Sequence, residues 1–223
     1  MSEETLQPLN EPTLSRPGLL VMDVDSTLIE EEVIDLLGEA AGVGAQVAEV
    51  TARAMAGELD FAEALRARVS LLRGLPSSVF EEVAASIHFT AGAMTLITTL
   101  HDHGWRVGVV SGGFHEVVDG LAQNAGIDHR LANRLEVVDG TLTGQVIGPI
   151  VTRELKRQAL LDWAHADAVP MTQTVAMGDG ANDIPMILEA GLGVAFCAKP
   201  AVRAAAPHVI DERDLARVLD LLH

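Results

Sequence analysis

Two aspartates stand one residue apart at the end of an apolar run, Val21-Met22-Asp23-Val24-Asp25, followed at once by Ser26 and Thr27. Charge is rare in a buried strand, and an isolated Asp there would read as a helix cap. Two other apolar runs end in comparable chemistry. One closes on Ser111-Gly112-Gly113, the other on Gly178-Asp179-Gly180-Ala181-Asn182-Asp183, with Lys156 on the helical pattern ahead of it. Asp23, Asp179 and Asp183, brought together, would repel and raise each other's pKa. Mg²⁺ resolves such a cluster, because it takes one or two carboxylates plus waters and phosphate oxygens. Ser111 offers a hydroxyl and Gly112 an N–H with no side chain in the way, a cradle for phosphate. Lys156 adds a point charge. The set reads as phosphoryl transfer: Asp23 attacks phosphorus, while Asp25 protonates the leaving alkoxide and later takes a proton from water.

A fold must gather these groups. The stretches 18–25, 105–113, 174–180 and 192–198 are short and continuously apolar, as strands buried on both faces are. Helical patterns alternate with them over 90–104, where Thr90 is the expected cap, and over 114–126, 153–166 and 183–191. The alternation predicts an α/β fold with a doubly wound parallel sheet, whose ligands bind beyond the carboxyl ends of the strands. Two stretches depart from it. Residues 34–89 are helical in pattern throughout, with Ser78 and Glu81 spaced as a capping box, and are expected to form a small cap inserted after the first strand. Residues 134–147 read as a β-hairpin turning at Asp139-Gly140. Residues 1–17 hold prolines and no periodicity and are expected to be a mobile tail, leaving 18–33 and 90–223 as the catalytic core.

The stretches DVDST, SGG and GDGAND, with Lys156 between the last two, resemble in order the motifs of the haloacid dehalogenase superfamily. Longer stretches, DVDSTLIEEEVID, MAGELDFAEALRARVSLLRGLP, VVSGGF, ANRLEVVDGTLTG, GDGANDIPM and FCAKP, are similar to the phosphoserine phosphatase family within it. The resemblance implies a Rossmann-like core with a helical cap. It implies that Asp23 is the nucleophile and a metal ligand, and that Asp25 is the acid/base and ligates Mg²⁺ through its backbone carbonyl. Asp179 would complete the ligands, with Asp183 and Asn182 supporting metal and phosphate, and Ser111, Gly112 and Lys156 holding the phosphate. Glu32, Met55, Phe61 and Arg68 would surround an amino acid. That set suits a zwitterion, whose ammonium wants a carboxylate and whose carboxylate wants an Arg fork. The implied reaction is Mg²⁺-dependent hydrolysis of O-phospho-L-serine to L-serine and phosphate, the last step of serine biosynthesis. Three rivals stay open: transfer of the phosphoryl group to another hydroxyl amino acid such as homoserine, hydrolysis of another small phosphomonoester, and a silent phosphate-binding regulator. Some members of the family carry an additional N-terminal regulatory domain, for which residues 1–17 are too short.

Taken singly, several of these residues have plainer readings. Lys156 shares its helix with Arg153 and Arg157, which by spacing alone describes a solvated face. Met55 and Phe61 would by default be core. Arg68 could pair with Glu58 or Glu63, and nothing in composition separates Glu32 from Glu30 and Glu31. His101 and His103 sit just before Gly104, where cationic side chains favour the helix dipole, so they read as structural. Cys197 reads as a small buried hydrophobe. GLGVAF lacks the third glycine of a dinucleotide fingerprint.

The whole chain narrows the classes further. Its 223 residues carry a net charge of −17, which disfavours nucleic acid and anionic membrane as partners. Aromatic residues make up only 3%, so the core must be aliphatic. One cysteine allows no intrachain disulfide, and the acidic N-terminus is no signal peptide; a cytoplasmic protein, monomer or homodimer, is expected.

Overall fold

The computed structural model describes residues 11–222. Its core is a sheet of seven strands: β1 (Leu19–Met22), β2 (Arg106–Phe114), β3 (His129–Val138), β4 (Thr141–Ile147), β5 (Thr174–Gly178), β6 (Leu192–Phe196) and β7 (His208–Ile210). Their order is β4-β3-β2-β1-β5-β6-β7, and every neighbouring pair is parallel except β3 with β4. The winding direction reverses at β1, as the doubly wound expectation requires. All four residues of β1 are fully buried because both faces are covered. Leu20 and Met22 pack on one side with α5 (Ala93–Asp102) and α6 (His115–Ala125). Leu19 and Val21 pack on the other with α7 (Arg153–Ala166) and α8 (Ile184–Glu189). The short helix α9 (Pro200–Ala205) and β7 extend the sheet beyond the strands that periodicity predicted.

Between β1 and α5 run four helices: α1 (Val33–Ala40), α2 (Gly44–Met55), α3 (Phe61–Ser70) and α4 (Val79–Ser86). The two chain segments joining them to the sheet pair with each other. Ile29 bridges Phe89, the Glu30 N–H donates to the His88 carbonyl at 3.0 Å, and the Thr90 hydroxyl donates to the Thr27 carbonyl at 2.7 Å. Thr90 is thereby drawn away from the capping role expected of it, and α5 starts instead after Gly92 in left-handed conformation. The expected capping box at Ser78 and Glu81 is not made. Ser78 is already helical at φ −59°, so its hydroxyl does not face the free N–H groups. The box stands one helix earlier, where Asp60 Oδ1 accepts from the Glu63 N–H and Glu63 Oε2 from the Asp60 N–H.

The hairpin of β3 and β4 turns at Asp139 and Gly140, both at positive φ, as their sequence predicts. It laces onto the four-helix segment: the Ser77 N–H donates to the Gly140 carbonyl, and Leu142 exchanges backbone bonds with Gly74 and Leu75. Residues 1–10 of the expected tail lie outside the described residues. Residues 11–17 are docked rather than free, since Gln173 donates to the carbonyls of Thr13 and Arg16 and accepts from the Thr13 N–H. His101 bonds Asp128 and His103 the Thr99 carbonyl, in keeping with structural roles. Cys197 is half-buried rather than buried and packs against the core beside the Asp211 carbonyl.

Candidate active site

The carboxyl ends of β1, β2 and β5 meet at one cleft. Asp23 leaves β1 with its own N–H still bonded to the Met177 carbonyl of β5 at 3.0 Å. Its Oδ1 accepts from the Val24 N–H at 2.7 Å and its Oδ2 lies 2.8 Å from Lys156 Nζ. The chain then turns widely over Val24–Leu28, with Ser26 at φ 56°. That turn brings the Ser26 hydroxyl to Glu32 Oε1 at 2.8 Å. It also sets Asp25 against two donors: the Val33 N–H in the first turn of α1 at 2.8 Å, and the Ser111 hydroxyl at 3.1 Å.

From β2, buried Ser111 accepts from the Gly113 N–H at 2.8 Å. A Cβ on Gly113 would stand 2.9 Å from Asp25 Oδ2 and 3.0 Å from Ser111 Oγ, so a larger residue there would force those two side chains to shift. Gly112 lies under the Phe61 ring, which a Cβ would meet at 3.4 Å. From β5 comes a tight loop in which Asp183 Oδ2 accepts from the Gly180 N–H at 3.0 Å, while Asp179 and Asn182 line the cleft. Lys156 reaches in from α7. It is 0% exposed, and its ammonium sits 2.7 Å from Asp183 Oδ1 as well as against Asp23. The solvated face that helical spacing suggested for it is therefore absent: Lys156 turns inward while Arg157 pairs with Glu189 at the surface.

Carboxyl groups dominate the electrostatics. Burial, then the charges of Glu32 and Asp23, pushes Asp25 up to about 7, against the Val33 N–H and the Ser111 hydroxyl. Burial likewise raises Glu32 and Asp179, the latter opposed by Lys199, whose Nζ is 3.2 Å from Asp179 Oδ2. Burial works against the Lys156 ammonium, but the charges of Asp183 and Asp23 prevail and hold it above its ordinary value. Asp23, Asp179 and Asp183 each present a carboxylate oxygen, all within 4.8 Å of one another. Hard oxygens in that number, carrying more negative charge than the nearby cations, are a donor set for a hard divalent cation.

From the helical segment, Glu32, Phe61 and Arg68 line the same cleft. Among the described residues Arg68 forms no ion pair, since Glu58 is held by Arg53 and Glu63 by the cap of α3; its Nε donates only to the Ala64 carbonyl. Met55 is not brought there. It ends α2 with 79% of its surface exposed and lines a separate groove between α1 and α2. Three neighbours of the site went unpredicted. Lys199 lies inside FCAKP and Asn133 inside ANRLEVVDGTLTG, yet neither stands out by type or spacing, and the left-handed turn at Ser26 has no sequence signal because the residue is not glycine.

Comparison with known proteins follows this geometry. The phosphoserine phosphatase of Streptococcus thermophilus is 62% identical over 205 residues, 92% of this chain and 95% of that one. That of Lactococcus lactis is 56% identical over 209 residues, 94% and 97% of the two chains. A solved structure described as a phospho-aspartyl intermediate analogue of phosphoserine phosphatase superposes with a TM-score of 0.88 at 42% identity, covering 93% of this chain and 100% of that one. The model of the haloacid dehalogenase-like hydrolases matches residues 20–188, from β1 into α8, and the chain belongs to that family.

Proposed function

We propose that this chain is a phosphoric monoester hydrolase that converts O-phospho-L-serine to L-serine and phosphate, with Mg²⁺ as cofactor, at the end of serine biosynthesis. One observation carries the substrate: Arg68 and Glu32, of opposite charge and without an ion pair to each other, share a cleft with Asp23 and Gly112. An amino acid's carboxylate and ammonium match Arg68 and Glu32, and its phosphate would then lie over Asp23.

Asp23, Asp179 and the Asp25 carbonyl, backed by Asp183, would hold Mg²⁺, which when bound supplies charge neutralisation for the phosphate oxygens. Everything else falls to side chains. Lys156 holds the Asp23 carboxylate in place, and one Asp23 oxygen forms the new bond to phosphorus as the serine–oxygen bond to phosphorus breaks. Asp25, pushed up to about 7, keeps a proton to give the departing alkoxide. It then takes a proton from the water that cleaves the aspartyl-phosphate, regenerating Asp23 and releasing phosphate. Ser111, Gly112 and Asn182 would bind the phosphate oxygens. The helical segment, residues 34–89, would act as a cap, with Phe61 over Gly112 excluding water.

The test is phosphate release from O-phospho-L-serine with Mg²⁺, repeated in excess EDTA. Rapid release that EDTA abolishes, and that Asp23→Asn lacks, is expected. Full turnover by Asp23→Asn would refute the nucleophile, and no release under either condition would refute the substrate.

A further inference from the structure

The pairing of β2 with β3 shifts register between Val110 and Phe114, across Ser111-Gly112-Gly113. The regular ladder is interrupted where phosphate would bind. The Gly112 carbonyl finds its partner in a side chain: Asn133 Nδ2 donates to it at 2.7 Å. The other end of the same amide accepts from the Val151 N–H at 2.8 Å. Val151 immediately precedes Thr152, the cap of α7, whose next turn carries Lys156. Asn133 is 0% exposed and does not line the cleft. An apolar residue would fill a buried strand position as well, so the polar amide must be explained by the two backbone groups that it satisfies.

We infer that Asn133 is a positioning residue for the phosphate. It holds the peptide between Gly112 and Gly113 from one side while the Ser111 hydroxyl holds it from the other, and it ties this peptide to the start of the lysine helix. Glycines at 112 and 113 leave that backbone free to rotate, and the Asn133 amide removes the freedom. The inference rests on the proposed reading of Gly112 as phosphate-holding and of Lys156 as the holder of Asp23.

The experiment uses the Mg²⁺-loaded protein and inorganic phosphate as probe, by calorimetry and by competitive inhibition, beside melting temperature. Asn133→Asp keeps the shape and the acceptor for Val151 but sets a second acceptor against the Gly112 carbonyl. Asn133→Ser is smaller and uncharged. Val218→Ala, in the core away from the cleft, is a control for lost stability alone. Both Asn133 variants should bind phosphate about tenfold or more weakly, with KM for O-phosphoserine rising in step. Val218→Ala should melt earlier yet bind phosphate as before. Folded Asn133 variants with wild-type phosphate affinity would overturn the inference, as would failure of both to fold, which would assign Asn133 to stability. Wild-type protein that binds phosphate but leaves O-phosphoserine intact would sink the substrate alone, and the phosphate comparison would still decide on Asn133. A wild type that binds no phosphate would overturn both.

Discussion

Lys156→Met tests the charge balance of the cleft most directly. The ammonium is fully buried, 2.8 Å from Asp23 and 2.7 Å from Asp183, and methionine fills nearly the same volume without the charge. Removing one member of a buried ion pair costs about 3–5 kcal/mol, because the partner stays behind uncompensated. Here two carboxylates are left facing each other. Uptake of a proton by one of them trims the penalty, so the lower end, about 3 kcal/mol, is expected. For a chain of this size that is a fall of roughly 6–12 °C in melting temperature, out of a total stability of about 5–15 kcal/mol. Urea denaturation in EDTA reads the loss. Mg²⁺ should then restore more stability to the variant than it adds to the wild type, since Asp23 and Asp183 no longer share a resident cation. Adding Asp183→Asn should cost less in the variant than in the wild type, a coupling of about 1–3 kcal/mol. A Lys156→Met protein within 1 kcal/mol of wild type in EDTA would refute the view that these carboxylates depend on Lys156.

Arg68→Ala should raise KM for O-phosphoserine about tenfold or more while leaving phosphoethanolamine, which lacks the carboxylate, little changed; equal losses on the two esters would remove Arg68 from substrate recognition. Gly113→Ala would push its new carbon against Asp25 and Ser111, so turnover should fall by about tenfold or more at nearly unchanged melting temperature, as steady-state kinetics beside a thermal scan would reveal. His88 bonds Glu31 across the two segments joining the four-helix segment to the sheet, and that bond, then the Glu31 charge, raises the imidazole pKa. A group whose folded pKa lies above its unfolded value of about 6.5 adds stability fully below that pH and loses it as pH climbs through the folded value. The gap in urea midpoint between wild type and His88→Gln should therefore be open at about pH 5.5 and narrow as pH rises above the ordinary imidazole value; a gap that widens with pH would reverse the assignment.

The parts legible in the sequence are those fixed by local pattern. Continuous apolar runs could only be strands covered on both faces, and β1, β2, β5 and β6 stand where those runs lie. Asp139-Gly140 announced its turn because both positions need positive φ. Asp23, Ser111 and Asp179 were readable as one site because topology alone brings the carboxyl ends of parallel strands together. What pattern could not supply was the choice among equivalent local partners. Thr90 can cap a helix or bond across to Thr27, and only the pairing of the two segments that join the four helices to the sheet decides it. Ser78 and Asp60 both begin capping-box spacings, and backbone angles select Asp60. Lys156 and Arg157 are adjacent on one helix, and the inward position of Lys156 depends on carboxylates from two distant strands. Met55 follows the same logic in reverse: the end of α2 carries it to the surface, whatever its place in the pattern.

Charge explains why such a site suits so acidic a chain. Asp23, Asp25, Glu32, Asp179 and Asp183 gather around Lys156, Lys199 and Arg68, an excess of two negative charges if all are ionised. A phosphate monoester brings nearly two more. Left uncorrected, the cleft would repel its own substrate. A divalent cation on the three clustered aspartates cancels one pair, and a proton kept on Asp25 cancels part of the other. Burial, then the charges of Glu32 and Asp23, raises Asp25 to about 7, and Asp23 also belongs to the cluster that calls for the cation. On the proposed reading, crowding the acids does two things at once: it calls for a metal, and it raises Asp25 toward the range of a general acid. Lys156 lies 2.8 Å from Asp23 and supplies the positive charge facing the carboxylate proposed as nucleophile.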